Sequence, residues 1–233
     1  NLLHGVTASG KTEIYIKLLE QYIKEGKQVL FLLPEIALTT QLVQRLTAYF
    51  GNEVAVFHSK YTNNERIEVW NQVLENSPKA KVVIGVRSAL FLPFSDLGCI
   101  IVDEEHEQTF KQNDPSPRYH ARDAAIVLAK QHGAKVVLGS ATPSLETYYN
   151  VQSNKYGLTE LKVRYGNVVL PEIKLVDLKD KYFRKKMSGH FSDELLEEIT
   201  ETLSKGEQVI LFQNRRGFSP YVECMTCGHV PHC

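Results

Sequence analysis

The sequence has 233 residues, 43% of them apolar, which is enough to bury one full α/β domain and part of a second. Lysine plus arginine and aspartate plus glutamate number 27 each, so any contact with nucleic acid must come from local clusters of charge. No apolar run approaches the roughly 20 residues that cross a bilayer, and no export signal opens the chain, which indicates a cytoplasmic protein without a membrane partner.

Helix-like and strand-like segments alternate over the first 150 residues. An amphipathic helix is predicted after Lys11, with Gly26 as its stop. Short apolar runs rich in β-branched residues predict buried parallel strands at 28–33, 81–86, 99–103 and 135–139. Further helical patterns lie at about 37–50, 63–75 and 121–132. This alternation predicts an α/β fold with a doubly wound parallel sheet.

The pattern changes after residue 150, which divides the chain into four expected parts. Residues 1–150 form the α/β domain, and residues 151–190 form a connecting region with β-like pieces at 158–163 and 173–178. A helix predicted at 192–204 and a strand predicted at 208–213 resume the alternation of helices and strands, so residues 191–223 are expected to be the start of a second lobe. Residues 224–233 begin a cysteine-rich segment, and we interpret the chain as part of a longer protein.

Residues 5–12 match the phosphate-loop pattern G-x-x-x-x-G-K-[ST] between an apolar strand end and a helix. In such a loop the glycines let backbone N–H groups surround a phosphate, the lysine neutralises its charge, and the threonine ligates magnesium. The pattern predicts that ATP and magnesium bind here. The alternative, a Gly/Ser turn that caps a helix, is disfavoured by the flanking strand and helix. The predicted nucleotide-binding residues are Gly5, Thr7, Ser9, Gly10, Lys11 and Thr12.

A second group of polar residues, DEEH (103–106), begins at the last residue of the predicted strand 99–103. Hydrolysis needs a carboxylate near the metal and a group that orients water, so we expect Asp103 to ligate magnesium and Glu104 to align the attacking water. His106 would then sense the γ-phosphate. The alternative is an acidic, solvated strand end, and we leave that interpretation open for Glu105 and Glu107.

The segment 106–120 mixes aromatic, basic and turn-forming residues without a strand or helix period, which predicts an exposed loop. Aromatic faces stack on unpaired bases and neighbouring cations hold phosphate, so Phe110, Lys111, Arg118 and Tyr119 suit contact with single-stranded DNA. From composition alone, a Phe110 that packs into the core is an equally good interpretation.

The order of these motifs resembles that of a known family. DEEH resembles the D-E-x-H box of superfamily 2 helicases, and Ser140 and Thr142 lie in a segment similar to their S-A-T coupling motif. The longer segments VTASGKTEIY, LLPEIALTTQ, GVRSALFLPF and FQNRRGFSP resemble the primosomal replication-restart helicases in the same order. One departure is Ala8, where many members carry glycine.

This resemblance implies a RecA-like lobe 1 at residues 1–150 and an ATP-dependent DNA helicase that restarts stalled replication forks. It implies that the 106–120 loop couples DNA occupancy to hydrolysis, which favours the DNA-binding role of Phe110, and that Arg87 faces DNA. Primosome and single-strand-binding proteins are the implied protein partners.

The last ten residues contain Cys224, Cys227 and Cys233, a spacing that favours zinc over disulfides. The resemblance implies that they begin a zinc-binding insertion of the full-length protein, and His229 or His232 is a candidate substitute ligand. Cys99 stands in an apolar run and is expected to be a buried apolar residue.

Other functions remain open at this stage. The chain can belong to another superfamily 2 translocase or to an RNA helicase, and by itself it can serve as a nucleotide-binding scaffold. Because an arginine finger contributes about 10³–10⁵ in rate, we expect residues 1–233 alone to bind nucleotide but to hydrolyse it poorly. Arg215 and Arg216 are assigned no role.

Overall fold

A computed structural model of the chain describes residues 1–34, 40–58, 61–168, 171–212, 226–227 and 229. The chain forms two compact units, Asn1–Leu170 and Pro171–Cys233. The expected boundaries at residues 150, 190 and 223 remain predictions, but the sheet of the first unit includes a strand that lies beyond residue 150.

The first unit contains a seven-stranded sheet in which every pair of neighbouring strands is parallel. Its order is β3-β4-β2-β5-β6-β1-β7. The strands are β1 (Leu2–Gly5), β2 (Gln28–Leu32), β3 (Val54–Phe57), β4 (Val82–Gly85), β5 (Leu97–Asp103), β6 (Lys135–Ser140) and β7 (Leu158–Leu161). The predicted fold class is confirmed. The sequence patterns did not predict β3, and they placed β7 in a connecting region rather than beside β1.

Five helices of this unit connect the strands. They are α1 (Lys11–Lys24), α2 (Thr40–Phe50), α3 (Asn63–Leu74), α4 (Ala121–His132) and α5 (Leu145–Gln152). Local signals explain several of their ends: Thr62 and Glu65 form a capping box at the start of α3, and Gly133 takes a left-handed conformation after α4. The predicted helices are therefore confirmed, except that residues 37–39 lie outside the described residues.

The core lies on both faces of the sheet. Alternate residues of β2 point to opposite sides: Val29 and Phe31 pack with α1 and α2, whereas Leu30 and Leu32 pack with α3 and α4. This two-sided burial explains why the strands are continuous apolar runs rather than alternating ones. Cys99 belongs to the core, as expected.

The sheet brings the carboxyl ends of three strands to one edge. Strand β6 lies between β1 and β5, with Ser140 in register with His4, and Gly139 with Asp103. Because all three strands are parallel, the segments that follow them emerge on the same side. This edge therefore holds the phosphate loop, the DEEH segment and the S-A-T segment together.

The second unit contains α6 (Leu178–Phe183), the antiparallel pair β8 (Met187–Ser188) and β9 (Phe191–Ser192), and α7 (Asp193–Ser204). The predicted helix at 192–204 is confirmed. The predicted strands are not found at residues 173–177 or 208–212: no neighbouring strand among the described residues pairs with them, and Ile210 and Phe212 are 93% and 85% exposed. A strand without a partner leaves its backbone groups unpaired and does not bury its side chains.

Within the described residues, no helix is both long enough and apolar enough to cross a membrane.

Candidate active site

The phosphate loop follows β1 and ends at the first turn of α1. Gly10 has a φ of 90° directly before the helix, a conformation that glycine adopts without strain. Ala8 also has a positive φ, 61°, and its carbonyl accepts a hydrogen bond of 2.9 Å from the Tyr165 backbone. A left-handed conformation costs a non-glycine residue about 1–2 kcal/mol. This geometry explains why glycine suits the position of Ala8.

Three groups of the loop face one small space. The Lys11 ammonium donates a hydrogen bond of 2.8 Å to the carbonyl of Gly5. Among the described residues, the buried hydroxyl of Ser9 has no hydrogen-bond partner. A side chain at Gly5 would place its Cβ 2.6 Å from Ser9 Oγ and 3.0 Å from Lys11 Cγ. The bare glycine, the unused hydroxyl and the cation fit a phosphate group, and Thr7 and Thr12 lie on the same loop and first helical turn.

The predicted magnesium ligand, Asp103, ends β5. Its Oδ1 accepts a hydrogen bond of 2.8 Å from the Tyr15 hydroxyl. Burial raises the pKa of Asp103, and the Tyr15 hydrogen bond and the charge of Lys11 oppose that rise. The sheet register places the end of β5 next to β6, which in turn pairs with β1, so the phosphate loop and Asp103 follow strands at the same edge of the sheet.

Glu104 follows in a left-handed conformation with a φ of 50°. Burial, and next the neighbouring Asp103 carboxylate, raise the pKa of Glu104 above its ordinary value, while Lys11 lowers it. A half-buried carboxylate with a raised pKa next to a metal-ligand candidate has the properties of a general base.

His106 connects the DEEH segment to the S-A-T segment. Its Nδ1 lies 2.8 Å from Ser140 Oγ, and its Nε2 lies 3.4 Å from Thr142 Oγ1. The backbone N–H of Thr142 donates to Ser140 Oγ at 3.0 Å, and Glu104 Oε2 lies 3.6 Å from His106 Nδ1. The three side chains that the sequence assigned to γ-phosphate sensing and coupling therefore form one chain of contacts that begins at Glu104.

Glu105 is not part of a solvated strand end, which corrects the interpretation left open for it. Its side chain is 0% exposed and accepts hydrogen bonds from Ser144 N at 2.7 Å, Thr147 Oγ1 at 2.8 Å and Arg122 at 3.1 Å. The sequence contains no signal for this network, because its members are up to 42 residues apart. The network joins DEEH to the starts of α4 and α5.

Phe110 corrects the prediction that its ring stacks on bases. Its side chain is 1% exposed and belongs to the core that packs on α4. The short 3-10 turn Gln108–Phe110 directs the ring inward, and Lys111 then pairs with His120 across the base of the loop. A buried ring offers no face to a base. The structure therefore favours burial of Phe110 in the core over stacking, two interpretations between which composition alone did not decide.

The other predicted DNA-binding residues lie together around this loop. Arg87 donates a hydrogen bond of 3.0 Å to the Lys111 carbonyl, and Lys111 Nζ donates to the Arg118 carbonyl at 3.1 Å. The Tyr119 ring packs edge-on against Phe91 at 5.2 Å. A cavity of about 330 Å³ is lined by Arg87, Gln108, Thr109, Lys111 and Asn113. Three cationic side chains and one aromatic ring therefore cluster around this loop.

The predicted zinc site lies largely outside the described residues, which include neither Cys224 nor Cys233, nor the candidate ligand His232. Cys227 is exposed and forms no disulfide with any residue that the structure describes. The described part of the chain has no cluster of three or more potential metal ligands. Arg215 and Arg216 also lie outside it.

Comparison with known proteins adds close relatives over the whole chain. The sequence is 47% identical over 232 residues to the replication restart protein PriA of Bacillus subtilis (strain 168), covering 100% of this chain and 28% of that protein. It is 49% identical over 235 residues to the same protein of Haemophilus influenzae, covering 100% of this chain and 31% of that protein. The chain thus spans less than a third of the length of both relatives.

Among solved structures, RecG bound to a three-way DNA junction matches 88% of this chain and 25% of its own length, with a TM-score of 0.54 and 19% identity. That likeness supports the fold alone. The sequence profile of DEAD/DEAH box helicases matches residues 1–151, which include the phosphate loop, DEEH and the S-A-T segment. The chain therefore belongs to the DEAD/DEAH box helicase family.

Proposed function

We propose that this chain is the nucleotide-binding lobe of an ATP-driven motor that moves on DNA and serves the restart of stalled replication. The observation that carries the proposal is the shared edge of the sheet, where β1, β6 and β5 are paired in register and the phosphate loop, the S-A-T segment and DEEH follow them. The identity to replication restart proteins over the whole chain supports the biological role.

Each residue has one task in this mechanism. Bound ATP with magnesium supplies the terminal phosphoryl group and the charge that activates it. Lys11 and Ser9 hold phosphate oxygens, Thr12 and Asp103 hold the metal, and Glu104 orients a water and accepts its proton. Positioning and electrostatics account for most of the catalysis of phosphoryl transfer, so a rigid arrangement of these groups is what the fold contributes.

In this proposal, His106 transmits changes at the bound nucleotide to the part of the chain that contacts nucleic acid. It lies between Glu104 and the Ser140–Thr142 pair, so a change at the γ-phosphate would alter the contacts of the S-A-T segment. We assign Arg87, Lys111, Arg118 and Tyr119 to contact with the DNA backbone and bases, since three cations and a partly buried aromatic ring lie around one loop. Phe110 is excluded from this set by its burial.

Residues 1–233 alone are proposed to bind nucleotide with slow hydrolysis. An arginine finger from elsewhere would raise the rate about 10³–10⁵-fold. Zinc binding by the three C-terminal cysteines, and contact with primosome and single-strand-binding proteins, are proposed for the full-length protein only.

The choice between DNA and RNA is testable with the full-length protein. We expect ATP hydrolysis to rise strongly on addition of forked or single-stranded DNA, and to respond weakly to RNA of the same length. Arg118→Ala should weaken this stimulation without changing nucleotide affinity, because Arg118 is exposed on the loop and is not one of the residues assigned to nucleotide or magnesium. Stimulation by RNA alone would exclude the DNA motor and support an RNA helicase.

The raised pKa of Glu104 predicts a pH dependence. The water can lose its proton only to an ionised Glu104, and burial raises the pKa of this carboxyl above its ordinary 4.5. On acidification, hydrolysis by the full-length protein should therefore decline at a pH above 4.5. The pH–rate profile of single-turnover hydrolysis measures this, with Glu68→Gln, at an exposed carboxylate on α3, as the control whose profile should be unchanged. A decline that begins only below pH 4.5 would contradict the assignment of Glu104 as the base.

A further inference from the structure

We propose that Tyr15 is a positioning residue that orients the Asp103 carboxylate for magnesium, an inference that rests on the proposed function. The Tyr15 hydroxyl donates to Asp103 Oδ1 at 2.8 Å, although the two residues are 88 positions apart. Tyr15 is the last residue of the segment VTASGKTEIY, but no role has been assigned to it above. Groups that hydrogen-bond to metal ligands fix the orientation of those ligands and typically matter for metal affinity.

Helix geometry explains how one element serves both phosphate and metal. Lys11 is the first residue of α1, and Tyr15 follows four positions later, so both side chains lie on the same helical face. Lys11 therefore reaches the phosphate loop while Tyr15, one turn further, reaches the end of β5. Because both side chains belong to α1, the position of α1 against the sheet determines both the Lys11–Gly5 distance and the Tyr15–Asp103 distance.

Gly139 supplies the space for this contact. It lies on β6, the strand between β1 and β5, in register with Asp103. A Cβ at Gly139 would lie 1.7 Å from the Tyr15 hydroxyl oxygen and 3.2 Å from Asp103 Oδ1. The absence of a side chain at this position is thus a requirement of the Tyr15–Asp103 contact, and Tyr15, Gly139 and Asp103 form one arrangement.

The hydroxyl is a permanent donor in this environment. Burial, and next the charge of Asp103, raise the pKa of Tyr15 far above its ordinary value. The ring also packs at 5.4 Å against Phe31, a contact that phenylalanine would preserve. The role of the hydroxyl can therefore be separated from the role of the ring by the substitution Tyr15→Phe.

The test measures metal and nucleotide binding rather than turnover. Binding of a non-hydrolysable ATP analogue to residues 1–233 is followed by calorimetry in excess EDTA and over a series of Mg²⁺ concentrations. For Tyr15→Phe we expect analogue affinity in EDTA to be unchanged and the half-saturating Mg²⁺ concentration to rise about tenfold. Tyr22→Phe, which removes a hydroxyl from the same helix, should match the wild type, and thermal unfolding verifies that each variant is folded.

A second variant tests the Tyr15–Asp103 contact from the neighbouring strand β6. Gly139→Ala should raise the Mg²⁺ requirement as Tyr15→Phe does, and combining Tyr15→Phe with Asp103→Asn should add nothing to the loss caused by Asp103→Asn. If the wild type binds the analogue with a Mg²⁺ requirement that Tyr15→Phe leaves unchanged, Tyr15 is a packing residue only and the inference fails. If the wild type binds no nucleotide at all, the proposed function fails first.

Discussion

Replacing Lys11 by alanine is expected to abolish nucleotide binding, whereas replacing Glu104 by glutamine is expected to preserve binding and slow hydrolysis about 100- to 10,000-fold. The two effects differ because Lys11 belongs to the phosphate loop, where it lies beside Gly5, and Glu104 acts only on the attacking water. Calorimetry with a non-hydrolysable ATP analogue measures the first effect. Single-turnover hydrolysis by the full-length protein, with saturating DNA, measures the second.

Lys17→Ala is the matched control for the lysine substitution. Lys17 lies on the same helix, and its side chain is exposed and paired with Glu20, so its loss should change neither affinity nor rate. Hydrolysis that persists at the wild-type rate in Glu104→Gln would mean that another group activates the water. Undiminished binding by Lys11→Ala would remove the basis of the nucleotide site.

Replacing Glu105 by alanine is expected to lower the free energy of unfolding by about 3 kcal/mol, because the buried Arg122 charge then keeps only the exposed Asp123 carboxylate as an ionic partner. The Glu105 side chain is fully buried, and that of Arg122 is 9% exposed. The same change removes acceptors for Ser144 and Thr147 at the start of α5. Urea-induced unfolding of residues 1–233, followed by circular dichroism, measures the loss.

The control is Glu107→Ala, two residues further along the same segment, which should cost less than about 1 kcal/mol because that side chain is not buried. The double substitution Glu105→Ala with Arg122→Ala should cost less than the sum of the single ones, since both remove the same interaction. A loss below about 1 kcal/mol for Glu105→Ala would show that the network does not stabilise the fold.

The buried network also bears on how the site is held. Glu105 connects the segment that contains Glu104 and His106 to the start of α5, which directly follows the S-A-T segment. Arg122 lies at the start of α4, directly after the proposed DNA-binding loop. The Glu105 carboxylate therefore holds the end of the loop next to α4, and it also holds the two segments that His106 connects, DEEH and the S-A-T segment. These contacts favour a rigid lobe around the nucleotide.

The sequence by itself determined the elements whose signal is local. The apolar runs of β2, β4, β5 and β6 and the helices between them predict the sheet, because strand and helix periods are visible over a few residues. The phosphate loop and DEEH were also predictable, since each needs specific residue types at fixed spacing next to a strand end. Their meeting at one edge follows from parallel strands, since β6 pairs in register with both β1 and β5.

Only the tertiary structure decided which side chains are buried and which distant groups meet. The composition of the loop allows the Phe110 ring either to stack on bases or to be buried, and the 3-10 turn Gln108–Phe110 directs the ring into the core. Glu105 and Tyr15 form hydrogen bonds with residues that are dozens of positions away in the sequence. Strands β3 and β7 were not predicted as part of the sheet from their own sequences, and their pairing with β4 and β1 defines them. Burial and long-range hydrogen bonds depend on groups brought together by packing, and no local pattern of residues specifies them.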